Sequence, residues 1–207
     1  MQTYSHFLIT AALRRPLKKR VEAKDLPELS TSALLIGSII PDALLTLLTI
    51  VFALIDLSRG VTLNPNSETV ADSLVWRLFD DWFFNNTWVI AAQNLFHSPL
   101  LVAFFIAAAY FFWKRGVRGM GWFFWLSCAA MLHTLIDIPL HHNDGPLLLF
   151  PLNWTLRFES PVSYWDPEHF GRQFFVFEHL LDLALIGLFV FRFVVRRRSR
   201  VGKGEAY

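Results

Sequence analysis

The sequence predicts an all-α fold, a polytopic membrane helical bundle with about four transmembrane helices and short interfacial helices. The chain of 207 residues is 54% hydrophobic and only 17% charged, with a mean hydropathy of +0.40, which is too apolar for an ordinary soluble domain. Long apolar segments alternate with polar connections, and basic clusters adjoin the apolar segments. We expect one membrane-embedded domain over residues 1–207.

Residues 1–31 predict an N-terminal segment that is amphipathic and then basic. Its basic residues follow the weakly apolar stretch, the reverse of a secretory signal peptide. The expected spans, in chain order, are residues 32–57, 98–113, 119–140 and 174–195. Crossing a hydrocarbon core of about 30 Å takes about 20 helical residues, so the second span is expected to start earlier, near Trp88.

Three basic clusters predict the topology, at residues 14–20, 114–118 and 196–200. A four-span arrangement puts all three on the cytoplasmic side, as the positive-inside rule requires. The basic tail, residues 196–207, is then cytoplasmic, and the connections 58–87 and 141–172 lie outside. Because topology explains the clusters, no nucleic-acid partner is expected. The expected partners are membrane lipids and a small-molecule or lipid substrate, and the oligomeric state stays open.

The two outer connections carry structure of their own. Residues 67–84 alternate apolar and acidic residues at helical spacing, which predicts an amphipathic helix on the bilayer surface. The second connection contains four prolines, which exclude a continuous helix. Its aromatic residues Trp154, Tyr164 and Trp165 predict a packed, irregular lid. The single cysteine, Cys128, excludes a disulfide framework.

An imidazole and a carboxylate stand four residues apart within the third span, at His133 and Asp137. Residues i and i+4 share one face of a helix, so both side chains can bind one cation. Ionisable groups at such depth are costly and indicate a functional site, and the alternative is a polar pair that stabilises helix packing. Asp42 follows Pro41 in the first span, where a kink could turn it inward as a ligand or general base, or leave it solvated.

Three further histidines are candidate ligands. His97 precedes Ser98 and Pro99, an N-cap and first helical residue, at the mouth of the second span. His6 lies in the N-terminal helix, and His141 follows the third span. The alternative for each is an ordinary interfacial or boundary histidine.

Glu178, His179 and Asp182 enter the fourth span together. We expect them to orient the ligating histidines by hydrogen bonding. Further metal ligands or a self-paired polar cluster are the alternatives.

A shared metal centre requires Asp42 and His133 to lie at the same depth in the membrane, and the sequence places them at different depths. On continuous helices Asp42 lies about 15 Å, and His133 about 21 Å, above the inner end of its own span. Tilt, the Pro41 kink or a re-entrant N-terminal helix would have to bring the two side chains together.

Short motifs follow one another in a fixed order over about residues 1–155: His6, Gly37-Ser-Ile-Ile-Pro41-Asp42, His97-Ser98, His133-x-x-x-Asp137, and Asp144-Gly145 followed by Phe150-Pro151. This order resembles the YdjM-like family of metal-dependent hydrolases of the bacterial inner membrane, which is distantly similar to zinc-dependent phospholipases C. The resemblance implies histidines and aspartates that bind zinc, and a bound water that attacks a phosphodiester. Leu44 stands where many members carry an acid, so a site with fewer metals or without activity is also compatible.

The expected function is hydrolysis of a phosphoester or lipid-like substrate at a metal centre. The expected metal is Zn²⁺, with Mn²⁺ or Fe²⁺ as alternatives, and Asp42 is a ligand or the catalytic base. The expected ligands are His6, Asp42, His97, His133, Asp137 and His141. One alternative is a transporter or proton relay that uses the same residues. Another is a haem-binding bundle with axial ligands among His97, His133 and His179.

Overall fold

All regular elements in the described part of the chain are helices. The computed structural model describes residues 1–21, 25–62, 64, 67 and 69–204, with side chains described up to residue 197, so the end of the predicted tail lies outside the described residues. The helices are α1 Thr3–Val21, α2 Thr31–Gly37, α3 Ile40–Ser58, α4 Leu74–Arg77, α5 Phe83–Asn85, α6 Thr87–Asn94, α7 Pro99–Lys114, α8 Met120–Asp137 and α9 Gly171–Gly204. Shorter 3₁₀ turns cover Val70–Asp72, Ile138–Leu140 and Pro167–His169, and a π-helical turn covers Leu78–Trp82.

Three helical segments are long and apolar enough to cross a membrane: Ile40–Ser58, Met120–Leu140 and Gly171–Arg197. The helices α6 and α7 make a fourth if they count as one span, because they pass the same test together across a bend of 46°. The bend lies just before Pro99, where a proline disfavours helical backbone in the preceding residue. The prediction of an all-α bundle with about four candidate spans is confirmed.

The α7–α8 hairpin is the centre of the bundle. Its turn uses Gly116 and Gly119, whose φ angles of +77° and +83° fall in the left-handed region that glycine adopts without steric cost. Along α8 half of the span is buried, whereas α3 and α9 are mostly exposed along their candidate spans. Since α8 carries both His133 and Asp137, the most enclosed of these three candidate spans holds the candidate site.

The first span was expected over residues 32–57 with a kink at Pro41, but the candidate span covers only Ile40–Ser58. The chain forms two helices there, α2 and α3, which are separated at Ser38 and Ile39. Pro41 lacks an N–H group and its ring clashes with the carbonyl four residues earlier, which disfavours a straight helix through this position. α2 packs tightly on α8 at Gly37, where an added Cβ would lie 2.2 Å from the carbonyl oxygen of Leu126.

The helix predicted over residues 67–84 begins later than expected. Helical structure from Leu74 onwards continues through the π-helical turn to Asn85, and only a 3₁₀ turn precedes it. The buried carboxylate of Asp56, on α3, determines this start. It accepts hydrogen bonds from the Ser73 hydroxyl at 2.8 Å and from the backbone N–H groups of Leu74 at 3.0 Å and Val75 at 3.2 Å, and so satisfies donors at a helix N-terminus.

The connection predicted over residues 141–172 is irregular, as its prolines predict, apart from one 3₁₀ turn and the start of α9 at Gly171. The expected burial of its aromatic residues is wrong for two of them, since Trp154 is 42% and Trp165 57% exposed. The Trp165 indole N–H donates to Asp144 Oδ2 at 2.9 Å. This hydrogen bond keeps the ring at the rim of a cavity instead of in the core.

Candidate metal centre

The carboxylate of Asp137, at the C-terminal end of α8, lies among three imidazoles. Its Oδ1 is 2.9 Å from His6 Nε2, and its Oδ2 is 3.1 Å from His97 Nε2 and 3.0 Å from His133 Nε2. All four residues are at most 4% exposed. The amino group of Met1 also donates to Oδ1, at 2.9 Å. Residues far apart in the chain therefore converge on a single buried carboxylate.

Asp42, at the start of α3, completes the arrangement. Its Oδ1 lies 3.4 Å from His133 Nε2, and its side chain, 20% exposed, is the most accessible of the set. Asp42, His97, His133 and Asp137 each offer one ligand atom, and these four atoms all lie within 4.8 Å of one another. A His/Asp group of this size could bind a metal ion. The break at Pro41 starts α3 beside His133, which removes the depth difficulty.

The hydrogen bond at the far side of the His133 ring sets its tautomer. Nδ1 lies 2.8 Å from the carbonyl oxygen of Ser38, which can only accept, so Nδ1 carries the proton. The Nε2 atom faces Asp137 Oδ2 at 3.0 Å and Asp42 Oδ1 at 3.4 Å, and in the neutral ring it is the atom that carries the lone pair. An imidazole held in this way by a backbone carbonyl is the usual preparation of a histidine for metal binding.

The rings of His6 and His97 are not held in the tautomer that metal binding through Nε2 requires. In the arrangement described, each donates its Nε2 proton to Asp137, and the Nδ1 atom of each is buried without a partner among the described residues. To bind a metal through Nε2, both rings must carry the proton on Nδ1 instead. Burial lowers the pKa of His6 to about 4, so its imidazole is neutral near pH 7, as a ligand must be.

The rings also pack on one another. His6 stacks on His133 with ring centroids 3.6 Å apart, and His97 meets the same ring edge-on at 5.1 Å. His133 is therefore both the central nitrogen donor and the packing surface for the other two imidazoles.

His141 lies at the edge of the group and not among the four nearest ligand atoms. Its Nε2 is 3.8 Å from Asp137 Oδ2, while its Nδ1 is 3.1 Å from Asp144 Oδ1. Burial alone would raise the pKa of Asp144, but the close contact with His141 and the hydrogen bond from Trp165 outweigh it and hold this pKa below its usual value. Asp144 is thus a carboxylate that orients His141.

The polar residues of α9 contact α1 and not the histidines of the centre. Glu178 Oε1 accepts from the backbone N–H of Gln2 at 2.7 Å, and Asp182 Oδ2 accepts from the Ser5 hydroxyl at 2.8 Å. His179 Nε2 lies 3.2 Å from the Tyr4 hydroxyl. The predicted orienting role can therefore act only indirectly, because these contacts hold the first turn of α1, which carries His6.

Two contacts of the centre were missed by the sequence analysis. The Thr3 hydroxyl donates to Asp42 Oδ2 at 2.7 Å, and the Ser38 carbonyl orients His133. Thr3 stands three residues before His6, on the same helical face, which is a weak signal. Ser38 lies three residues before Pro41, within the turn whose carbonyls a proline leaves unbonded, and this signal is stronger.

A cavity of about 470 Å³ opens onto the centre, and Asp42, His97 and His141 form part of its lining. Its apolar wall consists mainly of Leu45, Val75, Trp76, Phe79, Phe83 and Phe84. The polar lining adds Asp80, Asp144 and Tyr164, and the described part of the chain contributes no lysine or arginine to it. This volume suits a small organic ligand.

No family model matches this chain, and the comparisons with curated proteins and with solved structures find no match either. The resemblance to the YdjM-like family therefore stays a prediction that rests on the short motifs.

Proposed function

We propose that this protein is a membrane-bound, metal-dependent hydrolase of an amphiphilic ester or phosphoester. One observation carries the proposal: four His and Asp ligand atoms within 4.8 Å of one another adjoin a cavity whose wall is mainly apolar. The YdjM-like resemblance supports hydrolysis. It also supports an inner-membrane location, and the basic clusters support a cytoplasmic C-terminus.

The donor set favours Zn²⁺, because mixed imidazole and carboxylate ligands suit this ion, with Mn²⁺ or Fe²⁺ as alternatives. A divalent ion held by these residues would lower the pKa of a bound water towards about 7 and would polarise an acyl or phosphoryl oxygen. His97, His133 and Asp137 are the proposed ligands, because they are the most deeply buried of the four. His6 is a fourth candidate, since its Nε2 already lies 2.9 Å from Asp137.

Asp42 is the proposed general base or an additional ligand. It is the only one of the four that is partly exposed, and it lines the cavity. The Thr3 hydroxyl engages its Oδ2, so the orientation of the carboxylate is fixed while Oδ1 faces the centre. A carboxylate held in this way can accept a proton from a water on the cavity side.

Tyr164 is the proposed hydrogen-bond donor to the substrate. Its ring lines the cavity, and burial, together with the charge of Asp144, raises the pKa of its hydroxyl. The hydroxyl therefore stays protonated near neutral pH and can donate to an oxygen of the scissile group.

The charge of the cavity restricts the substrate. Asp42, Asp80 and Asp144 contribute carboxylates to its lining, whereas the one cation beside it among the described residues, Arg157, lies behind the rings of Phe83 and Phe84. A substrate that brings many negative charges would meet repulsion here. We therefore infer a carboxylic ester or a singly charged phosphodiester that carries an apolar group for the aromatic wall.

The test uses the full chain purified in detergent. Metal content is measured by mass spectrometry, and hydrolysis is measured on an activated phosphodiester and an activated carboxylic ester. Chelation should abolish turnover, and Zn²⁺ or Mn²⁺ should restore it. A metal-loaded protein that hydrolyses neither ester would contradict the proposal.

A transporter or proton relay is the second candidate, and two buried carboxylates on α9 favour it. Glu178 and Asp182 are 1% and 5% exposed, and each keeps one oxygen without a hydrogen bond among the described residues. Carboxylates inside a candidate span are typical of ion pathways. Proton uptake in reconstituted vesicles, without bound metal, would favour this function. The haem alternative gains no support, because His97 and His133 both point Nε2 at the same carboxylate oxygen.

A further inference from the structure

A second cavity, of about 330 Å³, lies between α1 and α9 and is rich in arginine. Its basic lining consists of Arg14, Arg15, Arg192 and Arg196, and none of its lining residues is acidic. Phe7 and Phe193 are among its apolar lining residues. The four guanidinium groups therefore share one cavity with aromatic rings.

The arginines of this cavity repel one another. Desolvation, followed by the like charges of the three neighbouring arginines, lowers the pKa of Arg15. Arg14 has only a long hydrogen bond to the Thr31 hydroxyl, at 3.5 Å, among its described contacts. An anion that binds in such a cavity stabilises the folded protein, because its attraction to each arginine offsets the repulsion among the arginines.

The position of the cavity identifies the source of that anion. The candidate span of α9 ends at Arg197, so Arg192 and Arg196 lie in its last two turns, at the level of lipid headgroups. The α9 surface around them remains apolar and exposed, with Phe191 and Phe193 each 66% exposed. Basic pockets beside membrane helices bind the phosphates of anionic lipids, and the arginine fork matches a phosphate with two parallel hydrogen bonds.

We propose that this cavity binds the phosphate headgroup of an anionic membrane phospholipid, with the acyl chains against the exposed face of α9. The site is separate from the candidate metal centre, because no residue lines both cavities. It is independent of the proposed hydrolysis. The lipid would join α1 to α9 at the arginine-rich end of their contact, while Glu178 and Asp182 join them near the start of α1.

The experiment measures binding of short-chain phosphatidylglycerol to the full chain in neutral detergent, by native mass spectrometry and thermal shift. Short-chain phosphatidylcholine and inorganic phosphate serve as the competing probes. The test variant is the pair Arg15→Gln and Arg192→Gln. The matched control is the pair Lys18→Gln and Lys19→Gln, which removes the same charge from exposed positions of α1 that do not line the cavity.

Phosphatidylglycerol should bind the wild-type protein more tightly than either competing probe. At about fivefold per arginine, the arginine pair should weaken this binding about 30-fold. The lysine pair should change it less than about threefold, since exposed charges contribute little and are screened. If both pairs weakened phosphatidylglycerol binding equally, the effect would come from general surface charge. If inorganic phosphate bound as tightly as phosphatidylglycerol, the cavity would be a site for free phosphate. Either result overturns the proposal.

A variant that fails to fold does not block the test. Arg15→Lys with Arg192→Lys keeps the charge but removes the two-pronged geometry. Binding about fivefold weaker than wild type supports a guanidinium site for phosphate. Unchanged affinity overturns it.

Discussion

The imidazole of His133 donates from Nδ1 to the carbonyl oxygen of Ser38 at 2.8 Å. This bond joins the break between α2 and α3 to the C-terminal part of α8. Because the carbonyl is freed by the break that Pro41 causes, the same proline that ends α2 also fixes the tautomer of the central histidine.

Removing His133 or Asp137 should remove the metal. In His133→Ala and Asp137→Ala, we expect bound metal to fall at least about tenfold, because each variant deletes a central donor. His169→Ala is the control, since His169 pairs with Asp166 away from the centre. The measurement is metal content per protein after gel filtration. Equal metal content in all three variants would refute the assignment.

Asp42→Asn separates a base from a ligand, because asparagine keeps the shape and loses the charge. If Asp42 is the base, metal is retained and the rate falls by about 10²–10⁴-fold, the usual contribution of a positioned general base. If it is a ligand, metal and rate fall together. Asp72→Asn is the matched control, at an exposed position that does not line the cavity. Wild-type activity in Asp42→Asn would assign the observed hydrolysis to another site or to a contaminant.

Glu178→Ala tests whether α9 positions His6 through α1. Loss of the carboxylate removes the partner of the Gln2 N–H, and we expect metal affinity to weaken by about 10–100-fold, as for other residues that orient a ligand. The affinity is measured by competition with a chelator. His6→Ala alone and the double variant complete a cycle. Fully additive effects would mean that Glu178 does not act through His6.

The cavity charge should appear in substrate preference. We expect an activated phosphodiester to be cleaved faster than the matching phosphomonoester, whose second negative charge meets Asp80 and Asp144. Asp80→Asn combined with Asp144→Asn should reduce this preference, measured as the ratio of kcat/KM values. A preference for the phosphomonoester in the wild-type protein would contradict the inferred substrate class.

The predicted topology is tested with reporter fusions. A reporter after Tyr207 should be cytoplasmic, and one inserted near Asn64 should be external, because the basic clusters favour the cytoplasmic side. A cytoplasmic signal from the insertion near Asn64 would contradict the four-span arrangement.

Hydropathy and the basic clusters were sufficient to predict the helical class and the approximate location of the candidate spans. They could not predict the break at Pro41, since a proline either kinks or ends a helix according to its surroundings. Here Gly37 packs against α8 just before the break. Likewise, the start of the helix at Leu74 depends on Asp56, which lies 18 residues earlier.

The candidate ligands could be predicted because ionisable residues are conspicuous inside apolar segments. The i,i+4 spacing of His133 and Asp137 survives in the structure as a contact of 3.0 Å. His6 reaches the centre because of the way α1 packs in the bundle, and Asp42 reaches it because of the break after α2. Neither leaves a periodic pattern, so only the position of Thr3 one helical turn before His6 hinted at its contact with Asp42.

The geometry of the metal centre depends on the absence of a side chain at Gly37. A methyl group there would meet the Leu126 carbonyl oxygen at 2.2 Å and the Ala129 side chain at 2.9 Å, so α2 would have to retreat from α8 by about 1 Å. The neighbouring Ser38 carbonyl would retreat with it, although functional sites tolerate only about 0.5 Å of displacement. Gly37 has no side-chain atom that could bind a metal. Because its side chain is a single hydrogen, it sets how closely α2 approaches α8 and therefore how near the Ser38 carbonyl lies to the imidazole of His133.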